Sequence, residues 1–261
     1  MLRYRKLNGA DIQGHATYST PTGLLDLYVK NEGGEDALFP VADTEIGRLA
    51  LIICYDINFP EMPRSFAMHG TEVLLHVTGE PYSPHRDSWE MSRHTKAYEN
   101  LMYVVSSNHG GYNAQVDGEI FSDTSGLNFQ QRRDGEISPL HRSHGGSEIV
   151  DFNGKVVGQA PNPGEALALG PIDLKGLRQR RSEARNNFLA QIRTELYARE
   201  YARHRGTSLN RWLDQPIAHK SEVRAETEAV IARYLKDGVY APPAGFEDAA
   251  AERERKKRAL A

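Results

Sequence analysis

Residues 47–61 spell GRLALIICYDINFPE, and this stretch decides the fold. Five consecutive apolar residues, 49–53, predict a strand that is buried on both faces. Pro60 and Glu61 predict the start of a helix, because proline fits the first helical turn and an acid there complements the helix dipole. The only cysteine of the chain, Cys54, is therefore expected where a buried strand ends and close to a helix N-terminus.

This position makes Cys54 a candidate nucleophile. Backbone N–H groups near a helix N-terminus favour the thiolate, which is the reactive form of cysteine. The alternative is a buried structural cysteine, since an isolated thiol commonly behaves as a small core residue. The segments that surround Cys54 in the sequence favour catalysis.

Strands and helices alternate on the C-terminal side of this stretch. The apolar pattern predicts two helices, over 60–69 and 88–100, and two further strands, over 71–77 and 101–107. This alternation is typical of an α/β sheet in which neighbouring strands are parallel. Asn153-Gly154 between two apolar runs predicts an antiparallel hairpin.

The remaining segments have weaker patterns. Residues 7–43 are rich in glycine, asparagine and threonine, and they predict a long functional loop with one short helix over 23–29. A strand over 165–173, a long charged helix over 174–204 and a second helix over 219–237 complete the expected elements.

Charge and composition argue against several classes of protein. The 261 residues carry a formal charge of −3, which gives no electrostatic reason to expect nucleic acid or an anionic membrane as a partner. One cysteine excludes an internal disulfide and a cysteine-rich zinc site. The sequence has no apolar signal segment or membrane span, so the cytoplasm is the expected compartment, where a reactive thiol stays reduced. Serine hydrolase, NTPase and dinucleotide-binding functions lack their sequence motifs.

Five segments, in this order and spacing, resemble the nitrilase superfamily of carbon–nitrogen hydrolases. They are Tyr4-Arg5-Lys6, residues 47–61 with Arg64, residues 67–75, residues 97–108 and residues 147–158. The likeness covers roughly residues 1–180. Within the superfamily, GEPY at 79–82 resembles the amidase branches.

The resemblance implies an α/β fold, the nitrilase-like α-β-β-α four-layer sandwich, in which two sheets stack and helices cover the outer faces. It also implies a homo-oligomer, a dimer or larger. Residues 1–180 are expected to form the hydrolase domain, and residues 181–261 a C-terminal helical extension and tail. Neither a metal nor an organic cofactor is expected.

The reaction that the resemblance implies is hydrolysis of a non-peptide carbon–nitrogen bond in a small-molecule amide. Cys54 is then the nucleophile, and it forms a thioester that water hydrolyses. Lys6 corresponds to the catalytic lysine of the family, and it stabilises the oxyanion together with the backbone N–H of Tyr55. From the residues alone, Lys6 has an alternative role as a solvated lysine.

Four further residues are candidate substrate contacts. Glu80 and Tyr82 follow a predicted strand, at the edge where α/β folds place their pockets. Asn108 follows another strand and is a candidate for orienting the pocket, although a loop hydrogen bond explains it as well. Glu32, like Glu35, lies where the family has a second glutamate after the lysine, with a solvated loop acid as the alternative.

One family residue has no counterpart in this sequence. The general base of the family is a glutamate on an N-terminal strand, some tens of residues before the lysine, but only five residues precede Lys6 and none is acidic. The chain is therefore expected to be N-terminally incomplete. It is the C-terminal part of a longer hydrolase, one of two polypeptides that share the fold, or a remnant that binds without turnover. The last case keeps a second function open, a non-catalytic nitrilase-like module for binding or oligomerisation.

Overall fold

The computed structural model describes residues 3–9, 11–12, 15–16, 20–80, 86–109, 145–161, 166–214 and 221–245. The strands within these ranges are β1 (Asp11–Ile12), β2 (His15–Ala16), β3 (Ala42–Thr44), β4 (Gly47–Ile53), β5 (Val73–Thr78), β6 (Tyr103–Asn108), β7 (Glu148–Val150) and β8 (Val156–Gln159). The α-helices are α1 (Leu25–Glu32), α2 (Glu61–Met68), α3 (Arg86–Asn100), α4 (Leu174–Ser182), α5 (Phe188–Gln191), α6 (Thr194–Arg203) and α7 (Ser221–Lys236). Short 3₁₀ helices cover Pro21–Leu24, Glu35–Leu38 and Cys54–Asn58.

Six strands form one mixed sheet in the order β3-β4-β5-β6-β7-β8, and β1 and β2 form a separate two-stranded ribbon. The central strands β4, β5 and β6 are parallel, with α2 and α3 as their connections. The outer pairs β3–β4, β6–β7 and β7–β8 are antiparallel. The α/β class and the parallel pairings predicted from the alternating pattern are therefore confirmed.

Two glycines act where the sequence predicts a change of direction. Gly70 follows α2 with φ of 87°, in the left-handed region that only glycine enters at little cost. Gly154 lies in the β7–β8 turn with φ of 77°, and Asp151 N–H donates to the Lys155 carbonyl across that turn. The predicted end of α2 and the predicted hairpin are both confirmed.

One face of the sheet packs against α2 and α3. Ala50, Leu74 and Val104 are register partners in β4, β5 and β6, and all are fully buried on this face. Phe66 of α2 and Ala97 of α3 belong to the same core cluster. Burying such side chains contributes about 1.5–3 kcal/mol for each large one.

The opposite face is only partly covered. Leu49, Val73 and Tyr103 are register partners here, and Leu177 of α4 packs against this end. Val77, farther along the same face, is 41% exposed. Within the described ranges, helix α4 thus covers one end of this face of the sheet. The second large sheet of the expected sandwich is not among the described residues.

Three predictions about secondary structure need correction. The prediction of a long irregular loop over 7–43 is wrong, because residues 21–44 contain α1, two 3₁₀ helices and β3. The short helix expected over 23–29 does form, and α1 extends it to Glu32. The prediction of a strand over 165–173 is also wrong for the described residues 166–173, which pair with no other strand. Leu167 and Leu169 are each 77% exposed there, so their alternation reflects no buried face.

The single long helix expected over 174–204 is also wrong, because α4, α5 and α6 replace it. Asn187 lies at the break between α4 and α5. Its side-chain amide donates to the carbonyls of Arg181 and Glu183, and its side-chain oxygen accepts from Ala190 N–H at the start of α5. Asparagine favours such caps over the helix interior because its side chain competes for backbone groups.

The chain after α6 returns to the N-terminal region. Asn210 N–H donates to the Thr22 carbonyl, and Trp212 N–H donates to the Gly23 carbonyl, each at 2.9 Å. The Asn210 side chain also accepts from Asp26 N–H. Part of the predicted C-terminal extension is therefore docked on the start of α1. In the described ranges, no helix combines the length and the apolar character needed to cross a bilayer.

Candidate active site

The C-terminal ends of the three parallel strands meet at one edge of the sheet. Ile53 of β4 lies beside Val77 of β5, and Thr78 lies beside Asn108 of β6. Cys54 follows β4 directly, so it lies at this edge. Pockets of α/β proteins form at the carboxyl ends of their parallel strands.

The backbone of Cys54 is in a sparsely populated conformation. Its φ of 50° lies in the left-handed region, which costs a residue with a side chain on the order of 1–2 kcal/mol. The thiol is half-buried, and Cys54 opens the 3₁₀ helix Cys54–Asn58 that leads to α2. Such a conformation persists only where neighbouring contacts hold it. The polar groups that contact the turn at Cys54 are therefore part of the candidate site.

Asp56 is the first of these groups, and the sequence interpretation missed it. Its buried carboxylate accepts from Tyr4 O–H at 2.7 Å, from Asn8 N–H at 2.9 Å and from the Asn8 side-chain amide at 3.2 Å. Ile53 N–H also donates to it, at 3.3 Å. Burial raises the pKa of Asp56, and these hydrogen bonds oppose the rise. One carboxylate thus ties the N-terminal segment to the turn that carries Cys54.

Lys6 lies between the two residues that Asp56 holds. Tyr4 and Asn8 flank it by two positions on either side, and both donate to the same carboxylate. The positive charge of Lys6 also acts on His76, whose ring contacts the backbone of Cys54. These contacts therefore hold the segment that contains Lys6 on Asp56, two residues after Cys54.

His76 is the second group that the sequence interpretation missed. It is fully buried on β5, with Nε2 at 3.0 Å from the Cys54 carbonyl oxygen and Nδ1 at 3.0 Å from Ser106 Oγ. Burial lowers its pKa to about 4, and the charges of Arg93 and Lys6 act in the same direction. The sequence did contain a signal for this contact. His76 and Ser106 are polar residues within two neighbouring buried strands, and they are register partners.

A buried charged cluster lies behind this edge. Arg93 of α3 donates through Nη1 to both oxygens of Glu80, at 2.7 and 3.0 Å, and through Nε to Glu148 of β7. The three side chains are 1–2% exposed. His94 Nε2 lies 3.5 Å from the second oxygen of Glu148. The cluster joins α3 to β7 and to the segment that follows β5.

All the residues of this site lie within the part of the chain that one family model matches. The model of the carbon–nitrogen hydrolase family matches residues 1–182. The chain belongs to this family. The resemblance seen in the sequence is confirmed, and so is the fold class. The described part of the chain contains one six-stranded sheet and one two-stranded ribbon.

Individual relatives agree with the family. The chain is 29% identical over 175 residues to a Pseudomonas protegens protein described as a hydrolase in the pqqF 5′ region, which covers 67% of this chain and 50% of that protein. It is 28% identical over 162 residues to the deaminated glutathione amidase of Yersinia enterocolitica, over 58% and 46% of the two chains. The chain spans about half the length of these curated relatives.

A carbon–nitrogen hydrolase from Helicobacter pylori G27 superposes with a TM-score of 0.47 at 22% identity. The superposition covers 60% of this chain and 50% of that one.

The remaining predicted site residues lie in different places. The ring of Tyr55 packs edge-on against Phe59, with 5.5 Å between centroids. Asn108 accepts from Glu80 N–H at 2.9 Å and donates to the Gly145 carbonyl at 2.7 Å. It therefore ties three segments together through loop hydrogen bonds, which is the alternative role that the sequence left open.

Glu32 lies in a cavity that Cys54 does not line. Glu32 lies 3.5 Å from Arg3 and lines a separate cavity of about 810 Å³ with Tyr28 and Arg48. Neither Cys54 nor Lys6 lines that cavity. Tyr82 falls in residues 81–85, outside the described residues. Among the residues that are described, no group of three or more His, Cys, Asp or Glu side chains is arranged for a metal ion.

Proposed function

We propose that this chain hydrolyses a non-peptide carbon–nitrogen bond of a small amide, with Cys54 as the nucleophile. Lys6 and the backbone N–H of Tyr55 stabilise the oxyanion. The observation that carries the proposal is the double attachment of Tyr4 and Asn8 to Asp56. It attaches the segment that contains Lys6 to the turn that begins with Cys54, the one cysteine of the chain.

The chemistry follows from these groups. The thiolate of Cys54 attacks the amide carbonyl carbon, and the negative charge that develops on the oxygen is stabilised by the Lys6 ammonium and the Tyr55 N–H. The carbon–nitrogen bond then breaks, the leaving nitrogen takes a proton from water and departs as the amine, and a thioester remains on Cys54. Water adds to the thioester and releases the acid. Division into two steps lowers the barrier of each.

The substrate class is a small-molecule amide. Family membership supports it, and so does the relative whose name is deaminated glutathione amidase. Glu80, Asn108, Tyr82 and Glu32 remain proposed substrate contacts. Of these, Glu80 has both carboxylate oxygens bound to Arg93, which favours a role in shaping the pocket over direct contact.

The setting of the enzyme is also part of the proposal. We place it in the cytoplasm, where a single reactive thiol stays reduced. We propose a homo-oligomer, a dimer or larger, that acts without a cofactor. Residues 1–180 are the hydrolase unit, and residues 181–261 are its helical extension.

The test is a mass measurement on the full chain after incubation with acetamide or with the electrophilic amide acrylamide. We expect an adduct on Cys54 that Cys54→Ala abolishes. Lys6→Met should slow its formation at least about tenfold, because one stabilising group is lost. Lys30→Met is the matched control, since Lys30 is exposed on α1 and should leave the rate unchanged.

Labelling no faster than in the denatured chain would end the enzymatic proposal. That result would instead favour the non-catalytic binding or oligomerisation module. Equal effects of Lys6→Met and Lys30→Met would remove Lys6 from the mechanism while leaving Cys54 as the nucleophile.

A further inference from the structure

We infer that His76 is a positioning residue that aims the oxyanion-binding N–H of Tyr55. It does so by holding the carbonyl of Cys54, which belongs to the same peptide unit. The inference rests on the proposed function for the roles of Cys54 and Tyr55, and it adds a residue that acts through them.

The hydrogen-bond partners of His76 determine its tautomer. The Cys54 carbonyl oxygen can only accept, so Nε2, at 3.0 Å, carries the proton and donates. Nδ1 is then the acceptor, and Ser106 O–H donates to it at 3.0 Å. Ser106 thus fixes the tautomer that His76 needs in order to hold Cys54.

The peptide unit transmits this contact to Tyr55. All peptide bonds of the described chain are trans. In a trans peptide, the C=O of one residue and the N–H of the next point in opposite directions. When His76 holds the carbonyl of Cys54, the N–H of Tyr55 must therefore point away from the imidazole ring.

The contact also opposes a conformational cost. Cys54 has a φ of 50°, which is unfavourable for a residue with a side chain. A hydrogen bond to the carbonyl of that same residue, from a fully buried ring, favours this conformation over alternatives with the peptide unit rotated. Asp56, by contrast, holds the N–H of the preceding residue, Ile53.

His76 does not act as a proton carrier. Its ring is buried, and the described charged groups that act on it are the cations Arg93 and Lys6, which disfavour a second proton. Both ring nitrogens are engaged in hydrogen bonds. Its effect is therefore on geometry.

The experiment compares two reactions of the single cysteine in the full chain. With p-nitrophenyl acetate, the thiolate attacks the acetyl carbon, an oxyanion forms and collapses, p-nitrophenolate leaves, and a thioester remains. With iodoacetamide, the thiolate displaces iodide at a saturated carbon and no oxyanion forms. The ratio of the acylation rate to the alkylation rate therefore reports on the oxyanion-binding group alone.

We expect His76→Leu, which removes the donor, to lower this ratio about tenfold or more. His76→Gln, whose amide N–H reaches a similar position, should restore it to within about threefold of the original chain. Ser106→Ala should give an intermediate ratio, because the tautomer is no longer fixed. His204→Leu, at an exposed position after α6, is the matched control and should leave the ratio unchanged.

Two outcomes overturn the inference. One is a ratio in His76→Leu within about threefold of the original chain. The other is an equal fall in both rates, which would make His76 a general support of the turn. If His76→Leu does not fold, His76→Gln and Ser106→Ala still decide, since the inference requires the glutamine variant to have the higher ratio. Absence of amide turnover with a lowered ratio in His76→Leu would refute the proposed function and leave the positioning role intact.

Discussion

Tyr4 O–H donates a 2.7 Å hydrogen bond to the buried carboxylate of Asp56, 52 positions later in the chain. The Tyr4 ring also packs edge-on against Phe66 of α2, with 5.6 Å between centroids. Burial and the Asp56 carboxylate both raise the pKa of Tyr4, so the phenol stays protonated and donates at physiological pH. This contact fixes the segment that carries Lys6 to the turn that carries Cys54.

Asp56→Asn should destabilise the fold by about 2–3 kcal/mol. Its carboxylate has two accepting oxygens, and four donor groups from three residues point at them. An asparagine NH₂ in place of one oxygen meets N–H donors without an acceptor. Urea unfolding measures the loss, and acrylamide labelling of Cys54 should slow as well because Lys6 is released.

Tyr4→Phe is the matched variant, because it keeps the ring and removes one donor. We expect a loss of about 1–2 kcal/mol. If Asp56→Asn costs no more than Tyr4→Phe, the bonds from Asn8 and Ile53 contribute nothing to the attachment.

Arg93→Met should cost about 3–5 kcal/mol in the free energy of unfolding. The substitution leaves Glu80 and Glu148 as two buried carboxylates without their shared cation. The matched control is Arg203→Met, which removes an exposed pair with Glu200 and should cost no more than about 0.5 kcal/mol. Similar thermal midpoints for the two variants would contradict the role of the buried cluster.

The free energy of unfolding should decrease as the pH falls, because of the buried ring of His76. Burial, together with the charges of Arg93 and Lys6, lowers its pKa from 6.5 to about 4 in the folded chain. Between these values the unfolded chain binds a proton that the folded chain does not, so the free energy of unfolding decreases as pH falls. The full effect is on the order of 3 kcal/mol between pH 7 and pH 4.

The measurement is urea unfolding of the original chain and of His76→Gln across this range. The comparison isolates His76 from Asp56 and Glu80, whose pKa values are raised by burial and which act in the opposite direction. The difference in unfolding free energy between the two proteins should shrink towards acid pH. A constant difference would show that His76 is protonated equally in both states.

Gly23→Ala should release the C-terminal segment from α1. A β-carbon at Gly23 would lie 1.9 Å from Trp212 Cδ1, so the indole must move. We expect a loss of about 1–3 kcal/mol and a red shift of tryptophan emission. Gly206→Ala is the control, because a β-carbon there meets nothing within 4 Å. Unchanged emission in Gly23→Ala would contradict the docking.

The alternating core of the fold was predictable from local patterns. The apolar run of β4, the proline-initiated α2 and the Asn153-Gly154 turn each reflect the preferences of neighbouring residues. The same local rules failed at 174–204, where three helices replace the expected one and Asn187 competes for backbone groups between α4 and α5. They also failed at 7–43, where a glycine-rich segment forms α1, two 3₁₀ helices and β3.

The sequence by itself determined that Cys54 lies where a buried strand gives way to a helix, because apolar runs and helix-start residues act over a few positions. Only the tertiary structure decided which polar groups meet around it. Asp56 is 52 positions from Tyr4, and His76 is 22 from Cys54 and 30 from Ser106. Contacts over such separations depend on strand register and chain closure, which no local pattern encodes. The left-handed backbone of Cys54 belongs with them, since those contacts hold it.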